Sequence, residues 1–165
     1  MKTLKLFSFI VCLTLCNTTL NSFAQESSKP VTQNKTFIGI NAGFGSVLGD
    51  GYDYECISAT GGIDLAFPIS INLSIGPYLS AGYDWYEEEF NSSIGALAII
   101  GEKNEAKFMI GQGVNILPSY EYEFIGTSTR IGFTLPNNRI YFLGEFMETW
   151  LDYYFLFHIG FNLGK

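Results

Sequence analysis

The side chains best suited to chemistry are four charged or ionisable residues that lie far apart in the sequence. Asp64, Arg130, Glu145 and His158, which is the only histidine, each fall in a stretch where apolar and polar residues alternate. A histidine beside a carboxylate can serve as a general base for a serine nucleophile such as Ser128. No nucleophile elbow or other catalytic motif surrounds that serine. We therefore interpret the four residues as a structural charge network, and we expect no catalytic residues and no enzyme activity.

A second group of acidic residues lies within one short segment. Asp50, Asp53 and Glu55 occur in DGYDYE, and carboxylates at this spacing could bind a divalent cation such as calcium. The segment lacks the bidentate glutamate at the twelfth loop position, so it is not an EF-hand. A solvated loop that resists aggregation is the simpler interpretation. Zinc-ligand spacing, phosphate loops and dinucleotide fingerprints are absent from the sequence, so we expect no cofactor and no metal centre.

The four charged residues lie on predicted strands, because residues that alternate in polarity face opposite sides of an extended chain. In residues 153–163, aromatic and aliphatic side chains share one face, while His158, Gly160 and Asn162 lie on the other. Such stretches occur at residues 36–45, 57–67, 72–85, 93–101, 107–116, 124–135, 139–149 and 153–163. A strand of about 9–11 residues with one apolar face is typical of a transmembrane β-barrel, and eight is the usual smallest strand number. The sequence thus predicts an all-β fold, an eight-stranded antiparallel up-and-down transmembrane β-barrel.

The predicted strands also indicate where the charges point. A charge that faces lipid near the midplane of a bilayer costs about 2–4 kcal/mol. Asp64, Arg130, Glu145 and His158 all fall on the less apolar face, so we expect them to point into the lumen. Arg130 and Glu145 lie on adjacent strands and are predicted to pair there. Glycines on the same face leave room in a narrow barrel for bulky side chains.

The N-terminal residues have the features of an export signal. Lys2 and Lys5 precede a short apolar stretch, and Ser22-Phe23-Ala24 forms a small-x-small cleavage site. We predict a signal peptide at residues 1–24, a flexible leader at residues 25–35 and an outer-membrane β-barrel domain at residues 36–165. Cleavage would leave Cys56 as the single cysteine, so no intramolecular disulfide is expected.

Composition narrows the class of protein further. Charged residues make up 15% of the chain, against about 25% in typical soluble domains. Aromatic residues make up 16%, and the formal net charge is −7. The low charge suits a surface in contact with lipid, and the acidity argues against nucleic acid as a partner.

The connections between the predicted strands fall into two classes by length. One class is residues 46–56, 86–92, 118–123 and 150–152, and the other is residues 68–71, 102–106 and 136–138. Because extracellular loops of such barrels are longer than periplasmic turns, the first and more acidic class is predicted to be extracellular. Tyr83, Trp85, Trp150 and Tyr153 lie beside it and are predicted to form an aromatic girdle at the membrane interface.

Residues 36–45, 73–83 and 153–163 resemble the strands of small outer-membrane β-barrel proteins of the porin-family, OmpX-like type. The resemblance covers nearly all of the chain after residue 35 and implies a bacterial outer membrane location. It also implies contact with outer-membrane lipid and insertion by the barrel-assembly machinery, which acts on a C-terminal strand ending in an aromatic residue. Here that residue is Phe161, and four further residues follow it. The family implies no shared catalytic residues.

The predicted function is that of a small integral outer-membrane protein with a lumen filled by side chains and acidic extracellular loops. We expect a structural or surface-binding role rather than an open pore, with a surface ligand or divalent cation at the loops. The main alternative is a secreted soluble lipocalin-like barrel, in which Phe155, Phe157 and Phe161 would surround a small apolar ligand. A less favoured alternative is an outer-membrane lipid-modifying enzyme that uses the histidine–carboxylate pair.

Overall fold

The computed structural model describes residues 35–48, 58–85, 88–102, 104–118, 123–148 and 153–164, which form a β-barrel. The strands are β1 (Phe37–Leu48), β2 (Ser58–Pro68), β3 (Leu73–Asp84), β4 (Glu89–Ile100), β5 (Phe108–Pro118), β6 (Glu123–Thr134), β7 (Ile140–Glu148) and β8 (Tyr153–Asn162). Each strand pairs antiparallel with the next, and β8 pairs with β1 to close the barrel. The predicted all-β, eight-stranded fold is confirmed.

The described ranges also bear on membrane-spanning helices and on the predicted signal peptide. Within them, no helix is both long and apolar enough to cross a membrane. The predicted signal peptide and residues 25–34 of the predicted leader lie outside the described residues.

The two faces of the barrel wall have opposite polarity, and the apolar face is outside. Phe155, Phe157 and Phe161 are 49%, 38% and 54% exposed, whereas Arg130 and His158 are fully buried inside. This is the reverse of the arrangement expected for the lipocalin-like alternative. The outside therefore presents aliphatic and aromatic side chains to its surroundings on every strand, as a surface in contact with hydrocarbon requires.

The stagger of the strands makes the interior narrow. Followed from strand to strand, the paired residues run from Gly39 on β1 around the barrel and return to β1 at Val47, eight residues further on. Eight strands with a stagger of eight give the geometry of the TIM-barrel core, in which side chains fill the interior. A barrel of this shape has space for packed side chains and little else.

Tyrosine side chains fill this interior at places where glycines leave room for them. An added Cβ at Gly160 would overlap the ring of Tyr141, and one at Gly113 would lie 2.5 Å from the Tyr78 hydroxyl. The Tyr141 ring thus lies over a glycine of the adjacent strand β8, whereas the Tyr78 hydroxyl reaches a glycine two strands away. An apolar cluster that includes Phe37 and Tyr141, with rings 5.3 Å apart, fills the end of the barrel where β1 begins and β8 ends.

The prediction that the connections of the first class are longer than those of the second class is wrong. The β3–β4 and β7–β8 connections, at residues 85–88 and 149–152, are no longer than the β2–β3 connection at residues 69–72. The β4–β5 connection at residues 101–107, predicted as a short turn, is longer than either of them. The β3–β4 connection is short because β4 begins at Glu89, four residues before the predicted start. Its backbone hydrogen bonds to β3 continue through polar residues beyond the apolar part of the wall. Polarity alone does not end a strand.

Gly160→Ala is expected to destabilise the barrel by about 1–3 kcal/mol, because the new methyl group forces the Tyr141 ring out of its position. The matched control is Gly61→Ala, where an added Cβ meets nothing closer than the Asn41 carbonyl oxygen at 3.7 Å. Urea unfolding in detergent micelles measures both variants. Equal midpoints for the two variants would contradict the proposed packing of Tyr141 against Gly160.

Candidate functional site in the barrel interior

The guanidinium of Arg130 lies at the centre of the buried charges. Its Nη1 is 2.9 Å from Asp64 Oδ1, and its Nη2 is 2.8 Å from Glu145 Oε2. Arg130 and Glu145 are direct cross-strand partners on β6 and β7, whereas Asp64 on β2 reaches the same group from across the lumen. The guanidinium carbon also lies 3.9 Å from the centre of the Tyr78 ring. A planar, permanently charged guanidinium can donate hydrogen bonds to two carboxylates at once, and the ammonium group of a lysine is less suited to this geometry.

Glu145 binds several donors besides Arg130. Its Oε1 accepts hydrogen bonds of 2.7 Å from Ser93 Oγ and from Ser128 Oγ. His158 Nε2 lies 3.0 Å from Glu145 Oε2, but the two groups are not aligned as a hydrogen bond. The other ring nitrogen of His158 is 3.0 Å from Asn41 Oδ1. The carboxylate oxygens of Glu145 therefore lie among donors, which offsets the cost of burying the charge.

Asp64 is satisfied in the same manner by a different set of residues. Its Oδ2 accepts a 2.6 Å hydrogen bond from the Tyr141 hydroxyl and a 2.7 Å hydrogen bond from Asn41 Nδ2. Because Asn41 also contacts His158, it connects the surroundings of the two carboxylates. Each of the two buried carboxylates contacts both a cation and neutral hydrogen-bond donors, and these contacts offset the free-energy cost of removing its charge from water.

These residues form one connected group, which we call the lumen cluster. It consists of Asn41, Asp64, Tyr78, Ser93, Ser128, Arg130, Tyr141, Glu145 and His158. They come from every strand except β5, whose residues at this level include Gly111 and Gly113. The cluster thus connects strands that are distant in the sequence, and every one of its side chains is buried.

The structure brings together the four residues that the sequence pattern proposed as a network, Asp64, Arg130, Glu145 and His158. Sequence reasoning did not assign the neutral members to the network. Among them Asn41 makes the most hydrogen bonds, to Asp64, Tyr141 and His158. The positions of the neutral members on the less apolar face of their strands are the only signal that could have found them.

Ser128, considered as a nucleophile, uses its hydroxyl in the cluster. It accepts a 3.0 Å hydrogen bond from the Tyr78 hydroxyl and donates to Glu145. Among the described residues, no hydrogen bond joins Ser128 to His158. The Ser128 hydroxyl is thus satisfied by Tyr78 and Glu145, whereas a nucleophile requires direct contact with its base.

The other predicted site residues lie at the barrel end where β1 ends and β8 begins, or outside the described residues. Tyr83 packs edge-on against Trp85 and Phe90, with ring centres 5.8 Å and 5.0 Å away, and Tyr153 stacks on Phe146 at 5.6 Å. Trp85 and Tyr153 are 57% and 44% exposed. Trp150 and the predicted cation ligands Asp50, Asp53 and Glu55 lie outside the described residues. Within the described ranges, no three His, Cys, Asp or Glu residues are grouped to hold a metal ion.

The fold is similar to those of solved transmembrane barrels. The structure of Ail, the attachment invasion locus protein of Yersinia pestis, matches with a TM-score of 0.55 and 10% identity, over 79% of this chain and 98% of that one. Ail in complex with the heparin analogue sucrose octasulfate matches with a TM-score of 0.59 and 9% identity, over the same shares. A structure from the de novo design of transmembrane β-barrels matches with a TM-score of 0.54 and 11% identity, over 79% and 98%.

No protein-family model matches the sequence, and no curated protein matches it. At such low identity the structural likeness concerns the fold. The chain has the fold of the small transmembrane β-barrels, and the resemblance read from its strand pattern is confirmed at that level.

Arg130→Met is expected to destabilise the barrel by about 3–5 kcal/mol, because it leaves two buried carboxylates without their cation. The control is Arg139→Met, which removes an exposed arginine from the β6–β7 connection and should change stability by about 0.5 kcal/mol or less. The midpoint of urea unfolding in micelles compares them. If the two variants unfold at the same urea concentration, the ion pairs of the lumen cluster do not support the fold.

Proposed function

We propose that this chain is an integral protein of the bacterial outer membrane, with a structural or surface-binding role rather than a transport role. The observation that carries the proposal is the inverted polarity of the barrel. Phe90 on the outside is 67% exposed, while Arg130, Asp64 and Glu145 inside are fully buried. In water this arrangement would expose a large apolar surface, whereas in a bilayer the same surface meets hydrocarbon.

The lumen cluster supports a closed interior. Arg130 on β6 contacts β2 and β7 at once, so its side chain crosses the lumen. Nearer the end where β1 begins and β8 ends, the Phe37 and Tyr141 rings occupy the interior beneath it. These side chains are all buried, which favours a filled barrel over an aqueous pore.

The same burial favours a role without catalysis. His158, Glu145 and Ser128 are all fully buried, and their polar groups bind one another instead of facing a cleft. A substrate could reach them only if the lumen cluster separated. We therefore propose no enzyme activity for this site.

Surface binding would fall to the connections at the end where β1 ends and β8 begins. Sucrose octasulfate, seen with Ail, is a polyanion, whereas this chain has a net charge of −7 and acidic predicted loops. Like charges repel, so a divalent cation or a basic surface suits this chain better than a sulfated sugar. Insertion by the barrel-assembly machinery is proposed on the aromatic end of β8, where Phe161 points outward and is 54% exposed.

Electrophoresis with and without boiling tests the membrane proposal. The protein is expected to fold only with detergent or lipid and to migrate faster unboiled than boiled, because the hydrogen-bonded barrel stays compact in the gel. The apolar outer wall predicts aggregation in plain buffer. A folded, monodisperse protein in buffer without detergent would overturn the proposal and favour the lipocalin-like alternative.

Release of a small dye from vesicles tests the closed lumen separately. Vesicles that contain the folded protein should retain the dye as well as empty vesicles do, because packed side chains block the lumen. A porin refolded into the same vesicles serves as the leaking control. Dye release at a rate proportional to the amount of folded barrel would show that the lumen conducts.

A further inference from the structure

Two polar side chains face outward in the middle of the apolar wall. Gln112 on β5 and Thr129 on β6 are cross-strand partners, and Thr129 Oγ1 donates a 3.0 Å hydrogen bond to Gln112 Oε1. On its own strand Gln112 lies between Ile110 and Val114, which are 43% and 41% exposed. This placement interrupts the apolar face at a depth where hydrocarbon offers no hydrogen bonds.

The pair satisfies only part of its own hydrogen-bonding capacity. In the described part of the chain, the amide nitrogen of Gln112 has no hydrogen-bond partner, although it carries two N–H groups. The opposite orientation of the amide would leave its oxygen open instead. Either way, Gln112 presents an open polar group to the surroundings of the barrel.

A glycine beside this pair leaves a depression in the outer wall. Gly144 on β7 faces outward opposite Ile131, which follows Thr129 by two residues on β6, and it lines a groove of about 310 Å³ together with Ile131, Phe142 and Phe157. An added Cβ at Gly144 would meet only the Phe155 ring at 3.5 Å and the Ile131 carbonyl at 3.7 Å, both ordinary contacts. The barrel itself therefore does not require glycine here, and the missing side chain leaves room for the wall of a second copy to approach.

We propose that this face, formed by Gln112, Thr129 and Gly144, is the contact between two copies of this chain within the membrane. The inference rests on the proposed membrane location. An acyl chain provides neither a donor nor an acceptor, so lipid leaves the Gln112 amide unsatisfied. A second amide provides both.

The geometry of a membrane makes a second copy the matching partner. A symmetric dimer of two copies inserted in the same direction has its two-fold axis along the membrane normal, and the same residue of each copy lies at the same depth. Gln112 of one copy then meets Gln112 of the other, and each amide can donate to and accept from its counterpart. Gly144 lets the two walls approach closely enough for this contact.

Cysteine cross-linking within the membrane tests the contact. The full chain, with Cys12, Cys16 and Cys56 replaced by serine, carries Gln112→Cys or Thr129→Cys and is oxidised in the membrane fraction. Because a disulfide requires Cα atoms about 4.4–6.8 Å apart, only a residue near the two-fold axis can form one. The matched control is Ile63→Cys on β2, which is also outward-facing and lies on the other side of the barrel.

The proposal expects a disulfide-linked dimer from position 112 or 129 and none from position 63. Absence of dimer at both test positions, or equal dimer at all three, would overturn it. Migration without boiling is read on the same gel. A folded, membrane-embedded monomer without cross-links refutes only the contact, whereas absence of the folded barrel from the membrane refutes the membrane proposal and the contact with it.

Two substitutions then separate this face from the rest of the wall. In the Thr129→Cys background, Gln112→Leu or Gly144→Leu should lower the yield of dimer about tenfold, because the amide contact or the close approach is lost. Gly61→Leu fills an outward position on β2 that has similar room for a side chain, and it should leave the yield unchanged. A fall with Gly61→Leu and none with Gln112→Leu would place the contact on the opposite side of the barrel.

Discussion

The fold depends on one guanidinium shared between two buried carboxylates. Arg130 binds Asp64 and Glu145 through different nitrogens, so removal of the arginine leaves two buried carboxylates without their cation. Asn41 and Tyr141 then complete the hydrogen bonding of Asp64. Such a network has little tolerance for displacement, because each member fixes the position of the next. It thus favours one strand register over the alternatives that differ by a shift of two residues.

The small bore of the barrel explains why the network is possible. A stagger of eight residues brings side chains from β2 and β6 within hydrogen-bonding distance across the lumen. Glycines such as Gly160 then leave the space that the Tyr141 ring occupies. The positions of the charges, the rings and the glycines therefore all follow from the stagger of the strands. A change to any one of them alone is expected to destabilise the barrel.

Much of this arrangement could be predicted from alternation of polarity. The period of two assigns Phe155 and His158 to opposite faces without any knowledge of the fold, because the energetic penalty for charge in hydrocarbon is large. The distance between Arg130 and Asp64 could not be predicted, since it depends on the stagger, and the stagger is set by all eight pairings together. The start of β4 at Glu89 was missed because a polar residue can continue a hydrogen-bonded ladder beyond the membrane. Gln112 interrupts an apolar face and so obscures the register in the sequence, yet it does face outward.

The absence of β5 from the lumen cluster has a mechanical consequence. The other seven strands are joined through side chains inside the barrel, whereas β5 contributes Gly111 and Gly113 at that level and is held there mainly by its backbone ladders with β4 and β6. We therefore expect the wall to bend more easily along this strand, which carries Gln112 on its outer face, than around the rest of the circumference.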